Sequence, residues 1–123
     1  MRRLPELLAR LRAELPHLVA LMVVDLDTSS VVGGGSVDPG FDPAIAASGY
    51  TDVVRADVRL LEALGQGAAE DILLTSAELY VVLRMIGPKH YVCAAVTRSG
   101  TPGFVRTLLR RQDAALREAI GAP

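Results

Sequence analysis

Leu4, Leu7, Leu8, Leu11 and Leu15 fall three and four residues apart with charged residues between them, the spacing of a helix with one apolar face. Pro16 stops that pattern. An unbroken apolar run from Leu18 to Val24 follows, then the polar tetrad Asp27-Thr28-Ser29-Ser30, then Val31 and Val32. This predicts a hairpin whose second strand fades into a flexible Gly33-Gly34-Gly35. Asp42-Pro43 opens a second helix, with an N-cap oxygen and a proline at the first helical position. It runs to about Leu64, where Gly65 and Gly67 end it. Three further strands are predicted at Asp71 to Thr75, Leu79 to Ile86 and Tyr91 to Val96. Their links, Ser76-Ala77-Glu78 and Gly87-Pro88-Lys89, are long enough only for antiparallel hairpins. Thr101-Pro102 opens a last helix that buries Val105, Leu108, Leu109, Leu116 and Ala119. The order is α-ββ-α-βββ-α.

Two of the strands are apolar on both faces: Leu18 to Val24, and Leu79 to Leu83. A sheet with one wet face would alternate with polar residues, so helices must cover both sides. The expected architecture is a three-layer α/β sandwich. A five-stranded antiparallel sheet carries one helix on one face and two on the other. Residues 1–123 are read as a single domain, with an N-terminal helix over 1–16 and a core over 17–120.

The middle helix is more apolar than one sheet requires. At ~100° per residue, Ser48, Thr51, Asp52, Arg55, Arg59 and Glu62 form a compact polar arc, and apolar residues span roughly 220°. That apolar arc divides into two facets. Ile45, Ala46, Gly49, Val53, Ala56, Leu60 and Ala63 form a small-residue facet, expected to lie close on the chain's own sheet. Ala47, Tyr50, Val54, Val58 and Leu61 form the other, expected to meet a partner helix or an element of the same chain. Self-pairing about a two-fold is the commonest way to supply such a partner. Asp57 sits at the seam between the facets and is expected to be paired if the seam is buried.

Composition narrows the class without naming a chemistry. A chain of 123 residues exposes roughly 19,000 Å² unfolded and roughly 6,000 Å² folded, so it buries a sufficient core without staples. Cys93 is the only cysteine, as expected in a reducing compartment, and a cytoplasmic location follows. Twelve of the thirteen basic residues are Arg, a composition typical of a GC-rich bacterial genome. A formal net charge of −1 gives no general attraction to nucleic acid or anionic lipid. No apolar run reaches the ~20 residues of a membrane span, and the start of the chain lacks a signal-peptide core.

Cys93 and His90 are three apart on a strand, which sends them to opposite faces. Gly33-Gly34-Gly35-Ser36 lacks the lysine of a phosphate loop. Asp25, Asp27 and Ser29 resemble the start of a calcium loop, but Ser30 and Ser36 stand where its glycine and glutamate belong. No G-x-S-x-G elbow is present. We assign no catalytic, cofactor-binding or metal-ligating residue. Arg106, Arg110 and Arg111 on the last helix offer a docking surface for an acidic partner.

The stretch Ala47-Ser48-Gly49-Tyr50-Thr51-Asp52-Val53-Val54-Arg55-Ala56, then Leu60-Leu61-Glu62-Ala63-Leu64-Gly65, and the strand Glu70-Asp71-Ile72-Leu73-Leu74-Thr75 resemble the Roadblock family. That family includes a dynein light chain and bacterial partners of small Ras-like GTPases. The likeness runs from about His17 to Arg117, although Tyr50 stands where a small polar residue is expected. The resemblance implies a homodimer or heterodimer with middle helices side by side and third strands paired across the two-fold. Ala47, Tyr50, Val54, Asp57, Val58, Leu61, Ile72 and Leu74 are the expected interface. It also implies a non-catalytic module that scaffolds or regulates a GTPase or signalling complex. The alternative is a small-molecule-sensing α/β domain, which would need an apolar pocket between sheet and helix.

Overall fold

In the computed structural model, which describes residues 3–122, the chain runs α1 (Leu4–Glu14), β1 (Leu18–Asp25), β2 (Val31–Ser36), α2 (Pro43–Leu64), β3 (Asp71–Thr75), β4 (Leu79–Met85), β5 (His90–Thr97), α3 (Pro102–Arg111) and α4 (Asp113–Ile120). The expected last helix is thus two, broken at Gln112, where the backbone leaves helical geometry (φ −94°, ψ 6°). The strands form one antiparallel sheet in the order β2-β1-β5-β4-β3. β1 and β5, the strands buried along their whole interior, take central places, and the less apolar β2 and β3 take the edges.

Both faces are covered, as the two-sided apolar strands require. On one face α1, α3 and α4 pack Leu4, Leu8, Leu11, Leu109 and Leu116 over Leu21, Val23, Val92 and Ala94. On the other, α2 packs over Ala20, Met22, Cys93 and Ala95. The sandwich therefore carries one helix against three, the two halves of the broken helix sharing a side with α1. α2 is capped as its sequence dictates. The Asp42 carboxylate accepts from the N–H groups of Ala44 (2.9 Å) and Ile45 (3.2 Å), and Gly65 closes the other end at φ 63°.

The two facets of α2 are exchanged relative to the sequence expectation. Ala47, Thr51 and Val54 are buried against the sheet, whereas Gly49, Ala56, Leu60 and Ala63 face outward. The sheet beneath is small at Ala20, Cys93 and Ala95, between the larger Met22, Leu83 and Tyr91. It needs β-branched and aromatic side chains from the helix to reach close packing, and a Gly/Ala facet there would leave voids. Thr51, placed by the sequence pattern on the polar arc, is fully buried because Tyr91 awaits it. The Tyr91 hydroxyl donates to the Ala47 carbonyl (3.1 Å) and lies 2.9 Å from the Thr51 hydroxyl, which is then free to donate to it. Arg55, also on that arc, donates to the carbonyls of Leu26 (2.6 Å) and Asp27 (3.0 Å) and ties α2 to the β1–β2 turn.

The glycine run is strand, not a frayed end. Gly33 lies under α1, where an added Cβ would sit 2.7 Å from a Leu4 methyl. Gly34 is left-handed at φ 79°, beside a register shift between Val23 and Val24, and an added Cβ would meet the Leu21 carbonyl oxygen. Replacing Gly34 by Ala should cost ~3 kcal/mol or more, because strain and a backbone clash act together. Thermal unfolding would show it as a loss of more than about 10 °C.

Burial also marks two protons in the layer beneath α2. It pushes the Tyr91 phenol up to about 12 against the lowering effect of Thr51, and the Cys93 thiol up to about 12. Both groups hold protons more tightly folded than unfolded. The stability this carries is complete below the ordinary thiol and phenol values, about 9 and about 10, and drains away as pH rises towards 12. Denaturant titrations should show falling stability from about pH 9, and in C93A the decline should begin about one pH unit later.

Candidate functional site

The outward side of α2 is an apolar seam with nothing of its own chain over it. Ile45 is 73% exposed, Leu60 55% and Leu64 58%, and around Gly49 there is open space. Ile45, Gly49, Asp52, Ala56, Leu60 and Ala63 recur at spacings of three and four, so they line one ridge of the helix. Small residues at its centre permit a close approach by another backbone, and the larger Ile45 and Leu60 flank them. With the exposed Asp52 among them, these residues make a mostly apolar ridge on the solvent-facing side of the helix.

α2 makes its principal sheet contacts with β1 and β2, at one side of its face. Towards the other edge Ile72, Leu74, Leu79 and Met85 stay only partly buried on that face. β3 itself is an open edge. Met85 N–H donates to the Glu70 carbonyl and Ser76 N–H to the Leu79 carbonyl, both at 2.9 Å. With Asp71 opposite Arg84 and Leu73 opposite Val82, the even-numbered residues therefore bond to β4. Asp71, Leu73 and Thr75 turn their N–H and C=O groups to the free edge. β3 is regular and apolar at its centre, and pairs with β4 without a bulge. The opposite edge, β2, carries three glycines and the register shift, devices that blunt an edge against further pairing.

The sequence-predicted interface divides accordingly. Ala47 and Val54 are buried inside the chain's own core, a correction that follows from the exchanged facets. Tyr50, Val58 and Leu61 lie half-buried on that same inward side, and Asp57 is half-buried with no ion pair among the described residues. Ile72 and Leu74 are half-buried on the α2 face of β3. Ile45, Gly49, Ala56, Leu60 and Leu73 were not among the expected interface residues. The three-and-four spacing that marks the helical ones was present in the sequence.

Arg106 is not a free docking residue. It grips Asp71 through two bonds, 3.0 and 3.2 Å, and Arg84 stands 3.9 Å from the same carboxylate. Arg84 continues to Asp113 (3.4 Å), which accepts from Arg117 (2.7 Å). This ladder clamps α3 and α4 to the start of the edge strand. Arg110 and Arg111 are exposed.

The remaining candidates hold no reactive arrangement. Cys93 is fully buried, and His90 lies 3.9 Å from the Asp25 carboxylate on the neighbouring strand. Asp25 accepts from the N–H groups of Asp27 and Thr28, closing the hairpin turn. Although partial burial opposes it, those bonds and His90 draw the Asp25 carboxyl below its ordinary range. Among the described residues no group of His, Cys, Asp and Glu could hold a metal ion, and no helix is long and apolar enough to cross a membrane. Side chains fill the layer between α2 and the sheet. A cleft of about 400 Å³ opens at the sheet's end instead, between Leu26, Val58, Met85 and the α2–β3 linker.

No family model matches the chain, and no curated protein matches it. Solved structures do. Myxococcus xanthus MglB, 14% identical, superposes with a TM-score of 0.84 over 97% of this chain and 95% of that one. A Roadblock/LC7 domain from Streptomyces avermitilis, 12% identical, gives 0.83 over 97% and 98%. MglC from Myxococcus xanthus, 20% identical, gives 0.63 over 91% and 94%. At such identities the likeness is one of fold, and it extends over nearly the whole length of both chains. The chain therefore folds as a Roadblock/LC7-type domain, as the sequence of its central helix and third strand implied.

Proposed function

We propose that this chain is a non-catalytic module of a reducing bacterial cytoplasm that pairs with a second copy through α2 and β3. As a dimer it regulates or scaffolds a small Ras-like GTPase or a signalling complex built around one. The observation that carries the pairing is the uncovered, mostly apolar seam of α2 together with an open strand edge at β3 that is apolar at its centre. Either feature alone is a solubility liability, and a second copy covers both at once. Adding strand to strand extends the sheet, and a second helix against the first covers the seam of α2. The GTPase partner and the non-catalytic role rest on the family resemblance. Arg110 and Arg111 are the exposed bases that an acidic partner surface would meet.

The exchanged facets change which substitution separates the copies. Leu60→Arg sits on the outward seam and should give a folded monomer, with unchanged circular dichroism and half the mass by light scattering. Val54→Arg places a charge in the chain's own core and should unfold the protein, with a loss of several kcal/mol. A Leu60→Arg protein that keeps the mass of the parent would remove the α2 pairing. For the partner, a small GTPase from the same genome should bind the dimer with an affinity that differs between its GDP-loaded and GTP-analogue-loaded states. Equal affinity for both states would reduce the role to scaffolding, and no binding to either would remove the GTPase.

A further inference from the structure

The edge geometry of β3 goes beyond pairing to its register. Two identical strands joined in a continuous antiparallel sheet are related by an axis normal to the sheet. Hydrogen-bonded and non-bonded pairs alternate along such a ladder, so the axis must pass through a residue that faces its own copy. Five positions in β3 are open to it, and they are not equivalent.

An axis at Asp71 sets two carboxylates opposite each other and pairs most of the strand with the linker before it; like charges directly opposed destabilise a ladder. An axis at Thr75 runs the strand past its partner into the β3–β4 turn. Axes at Ile72 or Leu74 engage only two of the three outward residues of each copy with each other, which gives four ladder bonds within β3. An axis at Leu73 engages all three, and six N–H···O bonds join the strands with no outward group left over.

We infer that two copies of this chain join β3 to β3 with the two-fold axis at Leu73, so that Leu73 faces its own copy. Ile72 then faces the copy of Leu74, and Asp71 faces the copy of Thr75. The inference rests on the pairing reading above and deepens it.

Side chains support the same centre. Leu73 is 40% exposed on the face carrying α3 and α4, although the Val82 opposite it is buried. Its own copy is the apolar surface that this register brings to it. Asp71 meets a hydroxyl instead of a second carboxylate, and its charge stays satisfied by Arg106 at 3.0 Å within its own protomer. On the α2 face, Ile72 and the copy of Leu74 form two apolar pairs continuous with the helix layer.

Single-cysteine variants of the full chain read the register directly. Native Cys93 is fully buried and does not compete for mild oxidants. Hydrogen-bonded pairs hold Cα atoms ~5.5 Å apart, within disulfide reach, so L73C should cross-link to itself with diamide on a non-reducing gel. I72C mixed with L74C should cross-link, while I72C alone should not. As a second readout, L73K opposes two ammonium groups and should weaken dimerisation at least tenfold with the melting curve of the monomer retained. T75K, set against Asp71, should not. A dimer that cross-links through I72C or L74C alone, with L73C silent, overturns the register and leaves the pairing standing. So does an L73K dimer of unchanged affinity. A parent chain that is monomeric at micromolar concentration overturns the pairing and the register with it.

Discussion

A sheet that is apolar on both faces must be covered on both, and one helix cannot cover the second face. That constraint organises this molecule. The central strands β1 and β5 bury side chains above and below, so water is excluded from both sides along their whole interior. On one side three helices share the task. On the other α2 works alone over β1 and β2, and the face of β3 and β4 tapers into half-buried Ile72, Leu74, Leu79 and Met85. The open strand edge and the incomplete helix layer are two views of the same deficit.

The orientation of α2 follows from what the sheet offers it. Ala20, Cys93 and Ala95 leave room that Val54 and its neighbours fill, and Tyr91 presents a hydroxyl that the Ala47 carbonyl and a polar side chain on the buried face satisfy together. Thr51 is that side chain. A pair of buried hydroxyls and one helix carbonyl thereby fixes the rotation of α2, because any other rotation would strand the phenol without a partner. Once that rotation is set, the Gly49–Ala56 ridge has nowhere to go but outward. The apolar surface that pairing would use is a by-product of satisfying the core.

Charge is handled separately from the apolar layers. The ladder from Arg106 through Asp71, Arg84 and Asp113 to Arg117 fastens the broken C-terminal helix to the beginning of β3. Individual exposed pairs contribute little. This set is partly buried and joins four elements, α3, β3, β4 and α4, and it keeps the charge at the start of the edge strand satisfied within one protomer. The open edge is thus left apolar at its centre and neutralised at its end.

Much of the fold was legible in the sequence. Helical leucine spacing, the Asp42-Pro43 start, the Gly65 stop and the short hairpin links set the elements, and two-sided apolar strands required helices on both faces. These are local signals, and neighbouring residues alone decide them. The sequence also showed that α2 carries more apolar surface than one sheet needs, so an outward apolar facet was legible as a surplus. Which facet faces outward was not. That choice depended on residues far along the chain: the small side chains of β1 and β5, and the Tyr91 hydroxyl forty positions from Thr51. The same holds for Gly33 and Gly34, which read as a loose strand end until Leu4 and the Leu21 carbonyl close over them. The break at Gln112 and the capture of Arg106 by Asp71 likewise needed the tertiary structure. Sequence periodicity counts how many faces an element must bury; the volumes and hydrogen-bonding groups of its tertiary neighbours decide which face goes where.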